Sequence, residues 1–158
     1  MDDEKIIWPV RSEPSNSPVF VHNEIDVEAS PEKVWFWLTN LTSWPDWYFN
    51  SSNIQILNQQ SDRLLAGTKF KWKTFGFKVE SEIQEYVPNT RLAWDAKAMG
   101  IFAYHAWLII PTATGCKVIT EETQHGLICR LGKIFMPNKM FRYHTIWLEK
   151  LKEKAEKS

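Results

Sequence analysis

Three residues could do acid–base chemistry together: His105, Glu122 and His144. Residues 101–110 and 116–124 both read as strands, and strand side chains alternate between two faces. Trp107 and Ile109 are inward candidates, so His105 shares their face. Val118 and Thr120 carry Glu122 and Gln124 with them. His144 lies on the apolar side of a C-terminal helix and approaches from above with Phe141 and Trp147. A buried imidazole beside a carboxylate can act as a general base, removing a proton next to a carbonyl. The plainer expectation is that His105 and Glu122 hydrogen-bond each other, or a water, inside an apolar cavity. These residues are also metal-ligand types, but no local spacing supports a metal site, and none is expected. No cofactor is expected either. The chain has no glycine-rich phosphate loop, nucleophile elbow or zinc-type cysteine spacing.

A long terminal helix must position His144. From Leu127 to Glu156 the chain reads as one helix, interrupted once. Ile134, Phe141, His144, Leu148, Leu151 and Ala155 share one side of a 3.6-residue wheel, with Met140 and Trp147 at its edge. A helix of about 45 Å with such a stripe needs a broad apolar surface to lie on. Pro137 conflicts with it, because an interior proline costs roughly 3 kcal/mol. A kink or break is expected between Gly132 and Pro137, or Pro137 opens the main helix.

The surface beneath should be a sheet. Val21, Ile25 and Val27 alternate with His22, Glu24, Asp26 and Glu28 over residues 19–29. Ser30 then offers a helix cap, Pro31 suits the first helical position and Glu32 suits the positive end of the dipole. A helix to Asn40 and a short helical turn over Thr42–Trp47 follow. Strands are expected over 53–58, 67–75, 77–86, 91–98, 101–110 and 116–124. Their short turns imply an antiparallel meander. Lys69, Lys71 and Lys73 form a basic row that Glu80 and Glu82 can balance across a strand pair.

Composition sets the bounds. The chain has 158 residues, 44% apolar and 24% charged, with 19 basic and 19 acidic residues. That size suits one domain, and zero net charge lacks a nucleic-acid footprint. No apolar run reaches the ~20 residues of a membrane span. The start, Met1-Asp2-Asp3-Glu4-Lys5, resembles neither a signal nor a transit peptide. Two cysteines, Cys116 and Cys129, make no disulfide framework, so a cytoplasmic protein with reduced thiols is expected. Residues 1–18 read as an N-terminal arm broken by Pro9, Pro14 and Pro18, whose Ile6, Ile7, Trp8 and Val10 are too apolar for a free tail. Residues 19–158 read as the single domain. Nine tryptophans and nine phenylalanines imply a heavy aromatic core or a site for a ring-shaped or lipid ligand.

The run Ile25-Asp26-Val27-Glu28-Ala29-Ser30-Pro31-Glu32-Lys33-Val34-Trp35 resembles the opening of the START-like, or Bet v 1-like, superfamily, which includes polyketide cyclases, dehydrases and lipid-transport proteins. Trp44-Pro45-Asp46-Trp47 resembles its second short helix. Trp107-Leu108-Ile109-Ile110-Pro111 and Gly115-Cys116-Lys117-Val118-Ile119-Thr120 resemble its late hairpin. The likeness covers residues 19–156. It implies an α+β helix-grip fold, with a curved antiparallel sheet of about seven strands wrapped on the C-terminal helix and two short helices after the first strand. It also implies a ligand between sheet and helix. Phe70, Trp72, Phe77, Trp94, Trp107, Ile109, Thr120, Gln124, Phe141, His144 and Leu148 are then the expected lining, with His105 and Glu122 as acid–base candidates. The expected function is binding or carriage of a hydrophobic small molecule such as a lipid, isoprenoid or aromatic polyketide. One alternative is a polyketide cyclase or dehydratase using His105 and Glu122. Another is a protein-contact module of the chaperone-ATPase-activator type, with the arm (Ile6, Ile7, Trp8) or an exposed aromatic patch as its surface. Monomer and homodimer both remain open.

Overall fold

A computed structural model describes residues 4–158. The acidic start at Met1–Asp3 lies outside the described residues. The strands are β1 (Val19–Val27), β2 (Ser52–Ile56), β3 (Lys69–Thr74), β4 (Phe77–Val87), β5 (Arg91–Ala98), β6 (Ile101–Thr112) and β7 (Gly115–His125). They form one seven-stranded antiparallel sheet in the order β1-β7-β6-β5-β4-β3-β2. The meander β2 to β7 follows the chain, and β1 closes against β7. The helices are α1 (Pro31–Thr39), α2 (Trp44–Trp47), α3 (Leu127–Phe135) and α4 (Lys139–Lys157). This is the helix-grip fold.

Local chemistry explains the elements. Pro31 takes the first turn of α1 and Glu32 its acidic position. Ser30 holds the cap position in extended backbone, but its side chain makes no capping bond. Val34 and Leu38 of α1 are fully buried. In the β3–β4 pair, Lys71 meets Glu80 at 2.9 Å and Lys69 meets Glu82 at 3.6 Å, so two members of the basic row are balanced as expected, while Lys73 stands opposite Lys78. These pairs are exposed and fix register more than they stabilise.

The C-terminal segment departs from a single helix. α3 ends at Phe135 and α4 starts at Lys139, with Pro137 between them. The break falls where the proline demands it. It also changes the buried face. His144, Trp147, Leu148, Leu151 and Ala155 are buried, as the wheel places them, but Ile134 is 69% exposed and Phe141 50%. The two helices no longer share one axis, so a continuous wheel does not carry across Pro137. On α4, Asn23 Nδ2 of β1 donates to the Phe141 carbonyl (3.1 Å) and to Thr145 Oγ1 (3.0 Å).

The arm packs on the other face of the sheet. Ile6 and Trp8 cover Ala93, Tyr104 and Ala106. The Trp8 ring lies 5.7 Å from Tyr104 and 6.3 Å from Phe20. Thr123 Oγ1 donates to the Ser12 carbonyl at 2.9 Å, and Arg91 donates to the Lys5 carbonyl at 2.6 Å. This cover explains why most of β6 is buried on both faces instead of alternating. Trp8→Ala is therefore expected to cost about 2 kcal/mol, read as a lower urea midpoint. An unchanged midpoint would mean that the arm only rests on the sheet.

Candidate functional site

Two antiparallel pairings build the centre of the site. His105 of β6 stands opposite Glu122 of β7 and opposite Trp94 of β5. His144 descends from α4 onto the same spot, its ring 4.7 Å from that of His105 and nearly parallel to it. His105 Nδ1 and His144 Nε2 each lie 3.2 Å from the same carboxylate oxygen, Glu122 Oε2. Gln124 Nε2 donates to the other oxygen, Oε1, at 2.6 Å. His105 Nε2 lies 2.7 Å from Thr120 Oγ1, which in turn lies 3.2 Å from the Ala106 carbonyl. Thr120 has one hydroxyl proton: given to the Ala106 carbonyl, it leaves Oγ1 to accept from His105 Nε2–H, and given to Nε2, it leaves His105 with Nδ1–H facing Glu122. That tautomer matches a neutral imidazole to an ionised carboxylate.

The electrostatics agree with that assignment. Burial pushes the His105 imidazole down to about 3, with Glu122 pulling the other way and His144 adding to the push. Burial by itself would raise Glu122, but the facing imidazoles and the Gln124 amide hold it down at about 2. The contact with His144 is close but misaligned. Neither of its ring nitrogens has a hydrogen-bond partner, although the residue is buried. Such a group is costly unless something else meets it.

A cavity of about 410 Å³ opens beside this cluster, between the sheet, α3 and the start of α4. Small side chains make the room. Ala96 of β5 stands opposite Ala103 of β6, and Ala103 stands opposite Gln124. The other half of the groove is filled. Trp147 of α4 stacks on Tyr48 at 4.4 Å and meets the rings of Trp44 and Trp107, each at 5.1 Å. The groove is thus part aromatic plug and part open pocket.

Residues 19–156 match the family described as polyketide cyclase / dehydrase and lipid transport. The chain belongs to that family. The crystal structure of hypothetical protein jhp0584 from Helicobacter pylori is similar at 31% identity and a TM-score of 0.89, covering 96% of each chain. Zhui aromatase/cyclase from Streptomyces sp. R1128 shares the fold at 12% identity and a TM-score of 0.72, covering 87% of this chain and 93% of its own. Norcoclaurine synthase from Thalictrum flavum does so at 14% identity and 0.67, covering 85% and 91%. No curated protein matches by sequence. Family membership supports hydrophobic-ligand binding or polyketide cyclisation at that level. No helix among the described residues is long and apolar enough to cross a membrane.

The family's groove gathers some of the expected residues and not others. His105, Glu122, Gln124, His144, Trp72, Phe77 and Trp94 line the cavity. Phe70, Trp107, Ile109, Thr120 and Leu148 face inward but are buried in the packed core or behind the His105–Glu122 pair, away from the open space. Phe141, in the first turn of α4, is half exposed and lies off the pocket. Periodicity missed the lining from α3, notably Ile128, Leu131 and Phe135, and the space left by the alanines. Ala96, Ala98 and Ala103 on inward positions were the available signal. His105, Glu122 and His144 place donor atoms within 4.8 Å of one another, a set whose types suit a divalent ion. Spacing along the chain could not show it, because the three come from β6, β7 and α4.

Proposed function

We propose that the protein binds a hydrophobic small molecule that carries one polar, hydrogen-bond-accepting group. The observation behind this reading is a largely apolar cavity of about 410 Å³ whose wall carries the clustered His105, Glu122, Gln124 and His144 side chains. That volume falls in the ordinary range for small-molecule sites. Two buried groups bordering it, the His144 ring and the Trp147 indole N–H, have no hydrogen-bond partner. A hydroxyl or carbonyl oxygen on the ligand would meet them while its apolar body lies against Trp72, Phe77 and Trp94. Ile6 and Trp8 are spent on the sheet, so among the described large apolar side chains of the arm Ile7 and Val10 face outward. That disfavours the arm as a protein-contact surface.

Polyketide cyclisation is the second reading, favoured by a carboxylate and two imidazoles at a cavity wall. Proton affinity weighs against it. A general base works best with a pKa near the working pH, whereas burial lowers His105 and, against burial, the facing imidazoles and the Gln124 amide lower Glu122. Both are poor bases in that state. Carriage is therefore the better reading.

Native mass spectrometry of the freshly purified chain tests this. An organic adduct is expected that Ala103→Leu, which fills the pocket, removes. Affinity should fall about tenfold in His144→Phe, the worth of one lost hydrogen bond of about 1.4 kcal/mol. A mass increment of one divalent ion, lost in Glu122→Gln, would replace this reading with a metal site. Turnover of a poly-β-keto substrate that fails in a His105→Ala, Glu122→Ala chain would replace it with the cyclase.

A further inference from the structure

The rim of the cavity has an unusual surface. From Thr123 to Leu148 the chain carries Arg130, Lys133, Lys139 and Arg142 and no acidic residue, although the whole chain is balanced at 19 basic and 19 acidic. The same stretch exposes large apolar side chains. Leu127 is 70% exposed, Ile134 69%, Phe135 77% and Met136 53%. Leu127, Leu131 and Ile134 recur at a spacing of four and then three, which makes one stripe along α3. The opposite side of α3 faces inward, with Cys129 buried and Ile128 lining the cavity. Leu131, Phe135 and Met136 belong both to the exposed rim and to the cavity wall. Gly126 holds the helix in place, because its φ is +119° and a Cβ there would fall 2.0 Å from the Gly100 carbonyl oxygen.

We propose that α3 and the α3–α4 corner dock on an anionic membrane surface, with the mouth of the cavity against the lipid. An amphipathic segment whose only charges are positive is the arrangement that seats in the headgroup region of such a bilayer. A second copy of this chain fits poorly. A two-fold contact would set the same four cations against themselves. The docking stands on the rim side chains alone. Its use, passing an apolar ligand between bilayer and cavity without crossing water, rests on the binding reading above.

Vesicle flotation with the full chain tests the docking. Phosphatidylcholine vesicles are compared with roughly four-to-one phosphatidylcholine and phosphatidylglycerol vesicles, at low and high salt. Binding to the anionic vesicles is expected, with little to the neutral ones and less at high salt. Arg130→Glu with Arg142→Glu should weaken it more than tenfold, as should Ile134→Ser with Phe135→Ser. All four sites are on the surface, and circular dichroism checks the fold of each variant. Ala103→Leu should float as the parent chain does, which separates docking from ligand binding. Three results would overturn the proposal: no flotation of the parent chain, flotation untouched by both pairs of substitutions, or a dimer in solution that Ile134→Ser with Phe135→Ser converts to monomer.

Discussion

Trp147→Ala is expected to lose about 3–5 kcal/mol of stability, the range for deleting a large buried aromatic side chain. Trp147 is 2% exposed and stands where α4 meets the sheet. Its ring touches those of Trp44, Tyr48, Trp72, Trp94, Trp107 and His105. Few neighbours can move into the space, because Trp44, Trp94 and Trp107 are themselves held in a packed layer. Single domains have only about 5–15 kcal/mol in total, so the variant would sit near the edge of folding. Trp147→Phe keeps the stacking on Tyr48 and should lose less than half as much. Urea midpoints of the three chains measure this. A loss under about 1.5 kcal/mol in Trp147→Ala would mean that α4 does not depend on the aromatic layer.

Acid should destabilise the protein in two steps. The fold favours neutral His105, whose pKa falls from 6.5 to about 3. The stability tied to it is whole above pH 6.5 and is lost as pH falls toward 3, because the unfolded chain takes up a proton that the fold refuses. Glu122 falls from 4.5 to about 2, so its share is whole above pH 4.5 and is lost as pH falls toward 2. Both therefore act in the same direction. Glu85 opposes them, since burial raises its carboxyl group. A drop of roughly 5–10 °C in Tm between pH 7 and pH 4 is expected, from a few kcal/mol at the usual scaling for this size. His105→Asn should flatten the upper part of that slope, and Glu122→Gln the part below pH 4.5. A Tm that stays level over this range would show that the cluster takes up a proton in the fold as readily as in the unfolded chain.

Particular residues show where reading the chain works. His105, Trp107 and Ile109 share a face because β6 is unbroken, and Glu122 joins Gln124 for the same reason in β7. Counting by two is enough for that. The Lys71–Glu80 pair follows from a tight turn at Gly76, which sets register between neighbouring strands. Counting by 3.6 succeeds for His144, Leu148, Leu151 and Ala155 within α4. It fails for Ile134, because Pro137 resets the axis and a wheel has no meaning across a break, and for Phe141, which sits in the first turn of α4 and is half exposed although it shares a face with His144 and Leu148. Phe70 and Trp107 face the interior as expected, yet facing inward does not place a residue at open space.

Alternation, the turn glycines, the Ser30-Pro31-Glu32 helix start and the conflict at Pro137 were determined by the sequence, because each rests on neighbours a few residues apart. They were enough for an antiparallel meander beneath a long helix and for the inward facing of the acid–base candidates, while the helix-grip class came from the resemblance of residues 19–156 to the START-like superfamily. The pairing of β1 with β7 and the descent of α4 were decided only by the tertiary structure. Together they bring His144 to within 3.2 Å of Glu122 from another part of the chain. Tertiary packing likewise decided that the tryptophans close one end of the groove and the alanines leave the other open. Volume is a property of all the side chains that meet in space, and no local spacing encodes it.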